Sequence, residues 1–275
     1  MLFGLFSSRC LRKSQSLVAV RFPDNLSDFS QKLSELASMN ELLLKVRNLE
    51  KRFGGVVVAH DVHFDLVRDD LVCIIGPNGA GKTTLINMLS GMIKPDSGSI
   101  FFEGRNIIGL PLYKYARIGI VRKFQIPTLF PRMSPRENLE VAQLGVGIKS
   151  PSSDVDAVLD LIGLLKIADT QIAGALPHGQ KQWLEIGMTL ICQPKLLILD
   201  EPTAGMSIDE TDKTAKIIKS LKSRCSIIVI EHNMRCVRSL NTRTIVLHRG
   251  EIISEGTFSE VENDPRVRNV YLGRQ

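Results

Sequence analysis

Residues 71–89 read Leu-Val-Cys-Ile-Ile-Gly-Pro-Asn-Gly-Ala-Gly-Lys-Thr-Thr-Leu-Ile-Asn-Met-Leu. Five apolar residues run without interruption into a glycine-rich turn, and apolar residues then recur at helical spacing. The pattern predicts a buried strand, a loop and a helix. Glycines at 76, 79 and 81 let consecutive backbone N–H groups converge on one point, at a helix N-terminus whose dipole favours anions. Lys82 is then placed to reach the β and γ phosphates of a bound nucleoside triphosphate, and the Thr83 hydroxyl to ligate Mg²⁺. The candidate binding residues are Gly76, Pro77, Asn78, Gly79, Ala80, Gly81, Lys82, Thr83 and Thr84.

A second element complements the first. Leu196-Leu197-Ile198-Leu199-Asp200-Glu201 is an apolar strand ending in adjacent carboxylates. In a parallel sheet, ligands sit beyond the carboxyl ends of the strands, which brings this pair beside the loop at Gly76. Successive side chains point to different sides, so the two acids can hold different roles. Asp200 suits the outer shell of Mg²⁺, and Glu201 suits polarising a water for in-line attack on the γ phosphate.

Between and around these elements, short apolar runs at Leu42 to Val46, Val62 to Leu66 and Ser99 to Glu103 read as strands, and Ile118 to Phe124 as a buried one. From Pro135 to about Cys192 the character changes. Asn138 to Leu144, Val155 to Leu165 and Lys181 to Ile191 carry helical spacing, which predicts an all-helical insert. Alternation resumes with strands at Lys195 to Leu199, Ser226 to Ile230 and Thr244 to His248, and helices at Asp209 to Lys222 and Met234 to Leu240. Such alternation argues for a parallel sheet with flanking helices.

Composition narrows the function classes. With 44 % hydrophobic and 23 % charged residues, the 275-residue chain has ordinary globular composition. Its net charge of +6 is spread over several segments rather than massed on one element, so nucleic acid is not indicated as a partner. Cys10, Cys73, Cys192, Cys225 and Cys236 form no Cys-x-x-Cys pair and read as core residues of a reducing compartment. No window approaches the ~20 apolar residues that cross a bilayer, so a membrane role has to run through partners. Residues 1–38 stand apart: Arg9, Arg12, Lys13 and Arg21 occur with several serines and no acid in the first 22 residues. Three readings stay open: an over-extended start with Met39 as the true one, a disordered or membrane-surface tail, and a targeting segment.

Taken together, the loop at Gly76 to Thr83, Gln125 after a buried strand, Leu176-Pro177-His178-Gly179-Gln180, Asp200-Glu201-Pro202-Thr203 and His232 closing the strand Ile227 to Glu231 resemble the ABC-type ATPases in order and spacing. The resemblance covers roughly residues 42 to 275. It implies an α/β fold: a P-loop NTPase (RecA-like) parallel-sheet core, an antiparallel β region and an inserted α-helical subdomain at about 126–190, all within an ATP-binding domain spanning 39–275. It also implies ATP and Mg²⁺ as cofactors, and a head-to-tail dimer with a second ATP-binding subunit, identical or not. By this resemblance Phe53 corresponds to the aromatic that stacks on adenine, and Gln125 to the residue linking Mg²⁺ and the attacking water to the membrane partner. His232 corresponds to the switch residue at the γ phosphate, and Ala204 to Ser207 to the loop that communicates across the dimer. Leu176 to Gln180 corresponds to the signature element that caps the partner's nucleotide. Taken singly, Phe53 could equally be a core aromatic, and Gln125 and His232 polar strand ends.

Narrower likenesses point to the importer branch serving branched-chain amino acids and urea. They are Arg122-Lys123-Phe124-Gln125, the run His178 to Met188, Ala204-Gly205-Met206 and Val270 to Arg274. The run Gln180 to Met188 is most similar to the urea-transporter subunit, so urea is the expected solute, with branched-chain amino acids and a soluble non-transport ATPase as alternatives. Expected partners are membrane permease subunits and, indirectly, a solute-binding protein, at the cytoplasmic face of the inner membrane. One departure stands out. Pro177 occupies a position where the family usually has Ser, and it offers neither a hydroxyl nor an N–H. The composite site capped by this chain is therefore expected to be slow, and the site built on its own Lys82 and Glu201 to be competent.

Overall fold

The computed structural model describes residues 42–123, 129–145 and 152–272. Ten strands and nine α-helices lie in these segments. Gln125, named above for its resemblance, falls outside them, as does the 1–38 extension.

The strands form two sheets. β1 (Leu42–Phe53), β2 (Val56–Val67), β4 (Ser97–Phe102) and β5 (Arg105–Asn106) make an antiparallel sheet in the order β2-β1-β4-β5. β3 (Leu71–Ile75), β6 (Ile120–Lys123), β7 (Leu196–Asp200), β8 (Ser226–Ile230), β9 (Arg243–His248) and β10 (Glu251–Thr257) make the second, in the order β10-β9-β3-β8-β7-β6. All its pairings are parallel except that of β10 with β9.

β3, β7 and β8 are buried along their whole length, as strands covered on both faces must be, and this is why they read as unbroken apolar runs. Alternation splits their side chains between two cores. Leu71, Cys73, Ile75, Leu197, Leu199, Ile227 and Val229 face a core that includes Leu139, Trp183, Leu184, Ile218 and Val237. Val72, Ile74, Leu196, Ile198, Ile228 and Ile230 face the other, formed with Leu85, Ile86, Met88 and Leu89 and with Leu44, Val46, Phe64 and Ile100 of the antiparallel sheet.

The helices in chain order are α1 (Lys82–Leu89), α2 (Leu112–Ile118), α3 (Pro135–Gly145), α4 (Ser152–Leu161), α5 (His178–Leu190), α6 (Ile208–Leu221), α7 (Met234–Leu240), α8 (Phe258–Asn263) and α9 (Pro265–Leu272). Several boundaries differ from the sequence reading for local reasons. The apolar run at Leu42 to Val46 continues as strand to Phe53, with a register shift between Val46 and Leu49 where Asn48 adopts φ 46. Ile118 ends α2 rather than starting a strand; Gly119 at φ 99 breaks the chain and β6 begins at Ile120. Helical spacing from Val155 to Leu165 is interrupted after Leu161, since Gly163 at φ 72 leaves the helix and a single 3₁₀ turn follows at Leu165–Ile167. β10, α8 and α9 carried no periodic signal strong enough to be read. β10 folds back on β9 through Arg249 and Gly250, both at positive φ (50 and 85).

Candidate functional site

The loop between β3 and α1 is shaped by close backbone approach. A Cβ on Gly76 would lie 2.2 Å from the Leu247 carbonyl oxygen, and one on Gly81 would lie 2.3 Å from that of Val58. Gly81 also has φ 103 and Gly79 φ 79, in the left-handed region that favours glycine. Neighbouring strands thus clamp the loop from two sides, and no larger residue fits at either clamp point.

Lys82, the first residue of α1, is buried and curls back over the loop, donating to the Gly76 carbonyl at 2.7 Å and that of Pro77 at 3.0 Å. Burial pushes its ammonium pKa down, while the negative charges of Glu201 and Asp200 pull it up. Residues more than a hundred positions apart in sequence therefore share one electrostatic environment. Thr83 is exposed at the start of the same helix and Thr84 partly buried behind it.

The two carboxylates diverge. Asp200 closes β7 and is buried, its Oδ2 accepting from Arg122 Nη2 at 3.0 Å. Glu201 turns out of the strand with φ 46, a left-handed conformation that costs a non-glycine residue roughly 1 kcal/mol. Its backbone N–H donates to Ile230 O at 2.9 Å, and its Oε1 lies 3.3 Å from Nδ1 of the exposed His232. Glu231, just before His232, was missed as a site residue because a lone acid at a strand end carries no pattern. It is fully buried and accepts from the Thr203 hydroxyl (2.6 Å) and N–H (3.0 Å) and from the N–H groups of His232 (3.2 Å) and Asn233 (3.3 Å). Burial raises its pKa, and these donors partly offset the shift. Glu231 ties the turn after Glu201 to the turn carrying His232.

Leu176-Pro177-His178-Gly179-Gln180 forms the entry to α5. Leu176 is buried, whereas Pro177 and His178 are exposed. Pro177 sits at the cap position with φ −55 and ψ 157 and makes no side-chain cap. His178 Nε2 donates to the Ala204 carbonyl at 2.9 Å, and a Cβ on Gly179 would lie 2.3 Å from Glu210 Oε1. The segment after Glu201 therefore packs directly on the entry to α5. Phe53 is 47 % exposed at the end of β1, in register with Val56, which precedes by two residues the Val58 whose carbonyl clamps Gly81. Lys51 Nζ lies 5.4 Å from its ring centroid.

For a metal, the donors at hand are oxygens: the Thr83 hydroxyl and the Asp200 carboxylate. Among the described residues no three His, Cys, Asp or Glu side chains cluster as a metal cage. A sparse oxygen set fits Mg²⁺, which keeps waters and phosphate oxygens rather than demanding a full protein shell.

A parallel sheet with a glycine-clamped anion loop on one strand and a carboxylate pair two strands away defines a P-loop ATPase. Residues 59–204 match the family model described as ABC transporter, and residues 251–275 match that of the branched-chain amino acid ATP-binding cassette transporter. The chain is 38 % identical over 254 residues to the high-affinity branched-chain amino acid transport ATP-binding protein LivG of Escherichia coli (strain K12), covering 86 % of this chain and 99 % of the relative. It is 37 % identical to BraF, of the same description, from Pseudomonas aeruginosa, with the same coverage. The crystal structure of the ADP conformation of MJ1267, an ATP-binding cassette of an ABC transporter, superposes with a TM-score of 0.76 at 30 % identity, covering 85 % of this chain and 99 % of that one. The chain belongs to the ABC transporter family, as an ATP-binding subunit that hydrolyses ATP. Urea, the solute favoured by the run Gln180 to Met188, finds no support in these relatives, whose names point to the branched-chain alternative.

Proposed function

We propose that this chain is the ATPase of an importer for branched-chain amino acids, acting in a head-to-tail dimer at the cytoplasmic face of the membrane through permease subunits. The observation that carries the solute is the match of residues 251–275 to the branched-chain cassette model, together with relatives aligned over nearly their whole length. Nothing in the site itself touches a transported solute.

In this reading the N–H groups from Gly76 to Thr84 hold the β and γ phosphates, Lys82 leaves the Gly76 and Pro77 carbonyls to neutralise them, and Phe53 stacks on adenine. Thr83 and Asp200, with Gln125, would hold Mg²⁺, which supplies charge neutralisation on the phosphates. Glu201 orients the attacking water and receives its proton. His232 would donate to the γ phosphate and report its loss; its Nδ1, 3.3 Å from Glu201 Oε1, supports that role. Leu176 to Gln180 would face the nucleotide of the second subunit. Support for that role comes from the exposure of Pro177 and His178 and from the hydrogen bond of His178 to Ala204.

The test is the purified chain with its co-purifying permease in proteoliposomes. Leucine uptake that requires ATP, and vanishes with Glu201→Gln, is the expected result. ATP-dependent uptake of urea with none of leucine would overturn the solute assignment and leave the ATPase reading intact.

A further inference from the structure

Strand β6 ends in two consecutive cations, Lys123 buried and Arg122 partly buried with its side chain largely covered. Their side chains leave opposite faces of the sheet. On one face, Lys123 Nζ lies 3.1 Å from Glu185 Oε2 of α5, with both side chains 3 % exposed. On the other, Arg122 makes a three-way junction. Its Nη2 donates to Asp200 Oδ2 at 3.0 Å, and the two side chains are each 7 % exposed. Its Nη1 donates to Asn87 Oδ1 at 2.5 Å and reaches Ser90 Oγ at 3.4 Å.

The register explains the junction. Arg122 is paired with Ile198 on β7, and Asp200, two residues further along, leaves the same face of the sheet, the face covered by α1. Asn87 follows Thr83 by four residues, so the two stand one above the other on α1. A single guanidinium therefore spans the strand that carries Asp200 and the helix that carries Thr83. It meets the Asp200 carboxylate at Oδ2.

We propose that Arg122 is a positioning residue for the metal–nucleotide complex: by bracing Asp200 against Asn87 it fixes the separation between the Asp200 carboxylate and the Thr83 hydroxyl. This rests on the reading that Thr83 and Asp200 hold the metal. Arginine suits the task because its planar fork can engage a carboxylate and an amide oxygen at once, whereas a lysine ammonium is a point charge on a flexible stem. A buried ion pair often adds little to stability, so its consequence here lies in fixing geometry rather than in strengthening the fold.

The test uses Mn²⁺ as the probe, its binding to the ATP-loaded full chain read by electron paramagnetic resonance, in a Glu201→Gln background that prevents turnover. Arg122→Met is expected to weaken Mn²⁺ binding about 10-fold or more while ATP binding in EDTA stays within about twofold of the parent. Arg122→Lys is expected to fall between the two. Asn87→Ala keeps the ion pair and removes the shorter of the two helix-side contacts; it is expected to weaken Mn²⁺ by roughly 2- to 10-fold, and it decides the matter if Arg122→Met does not melt cooperatively. Unchanged or tighter Mn²⁺ binding in the folded variants overturns the proposal. Thr83→Ala and Asp200→Asn separate the two levels: if neither weakens Mn²⁺, the metal assignment itself fails, whereas if both do and the Arg122 and Asn87 variants do not, only the bracing role is lost.

Discussion

The loop at Gly76 and the loop at Leu176 both deliver the chain into a helix, yet they are built in opposite ways. The first is enclosed: the Leu247 and Val58 carbonyls press on its glycines, Lys82 folds over it, and Glu201 and Asp200 share its electrostatics. The second is open. Its anchor Leu176 is buried, but Pro177 and His178 project outward. The phosphate-holding half of a site can be enclosed within one chain, and its buried groups need partners there because unpaired buried donors are costly. A site completed by a second subunit has to leave its donors at the surface.

The largest effect that could break this contrast lies in the enclosed site. Glu201→Gln is expected to lower phosphate release by about 10²- to 10⁴-fold while ATP binding is retained, measured by steady-state hydrolysis and equilibrium nucleotide titration. Retained turnover would remove Glu201 from the reaction. Next, Lys82→Ala removes a cation from the phosphates and is expected to weaken ATP binding by about 10- to 100-fold in the same titration. Loss of turnover without loss of affinity would show that the backbone amides alone do the holding.

The open loop is probed by Pro177→Ser. A hydroxyl there regains a hydrogen bond to a charged phosphate worth ~1.5–3 kcal/mol, so turnover of the assembled transporter is expected to rise by about 10-fold and at most about 100-fold. No change in turnover would mean that the N–H groups from Gly179 onward already suffice.

The smallest effect concerns the bolt between the turns of Glu201 and His232. Burial holds the Glu231 carboxyl above the ordinary carboxylate value, so the native state binds its proton more tightly than the unfolded chain does. Its contribution to stability is then fully present below the unfolded value of about 4.3 and is lost as pH rises through the raised native value. Relative to Glu231→Gln, the parent is expected to lose stability with rising pH across that window, read by guanidinium denaturation at stepped pH. A gap that widens in the parent's favour at higher pH would contradict this.

Much of the enclosed site was legible in the chain itself. The glycines, Lys82, Thr83 and the Asp200-Glu201 pair sit in contiguous runs whose patterns follow from local rules of strand, turn and helix. Arg122, Lys123, Glu185 and Glu231 had no such signal, because each owes its importance to a partner distant in sequence: Arg122 to Asp200 and Asn87, Lys123 to Glu185, Glu231 to Thr203. The same limit hid β10, an edge strand of mixed burial without clean alternation, and it let helical spacing carry a reading through Gly163, whose positive φ ends the helix.

What the order of residues determined by itself was the class of chemistry: an apolar strand, a glycine turn and a lysine at a helix start can meet few ligands other than a polyphosphate, since backbone geometry and charge dictate that locally. What only the folded chain decided was which distant groups serve that chemistry. Strand order placed β8 beside β3 and β7 next beyond it, the left-handed turn at Glu201 sent two neighbouring acids to different partners, and β6 brought its arginine across to brace one of them. Those outcomes depend on sheet pairing over scores of residues, and pairing is set by the summed burial of two cores rather than by any single stretch.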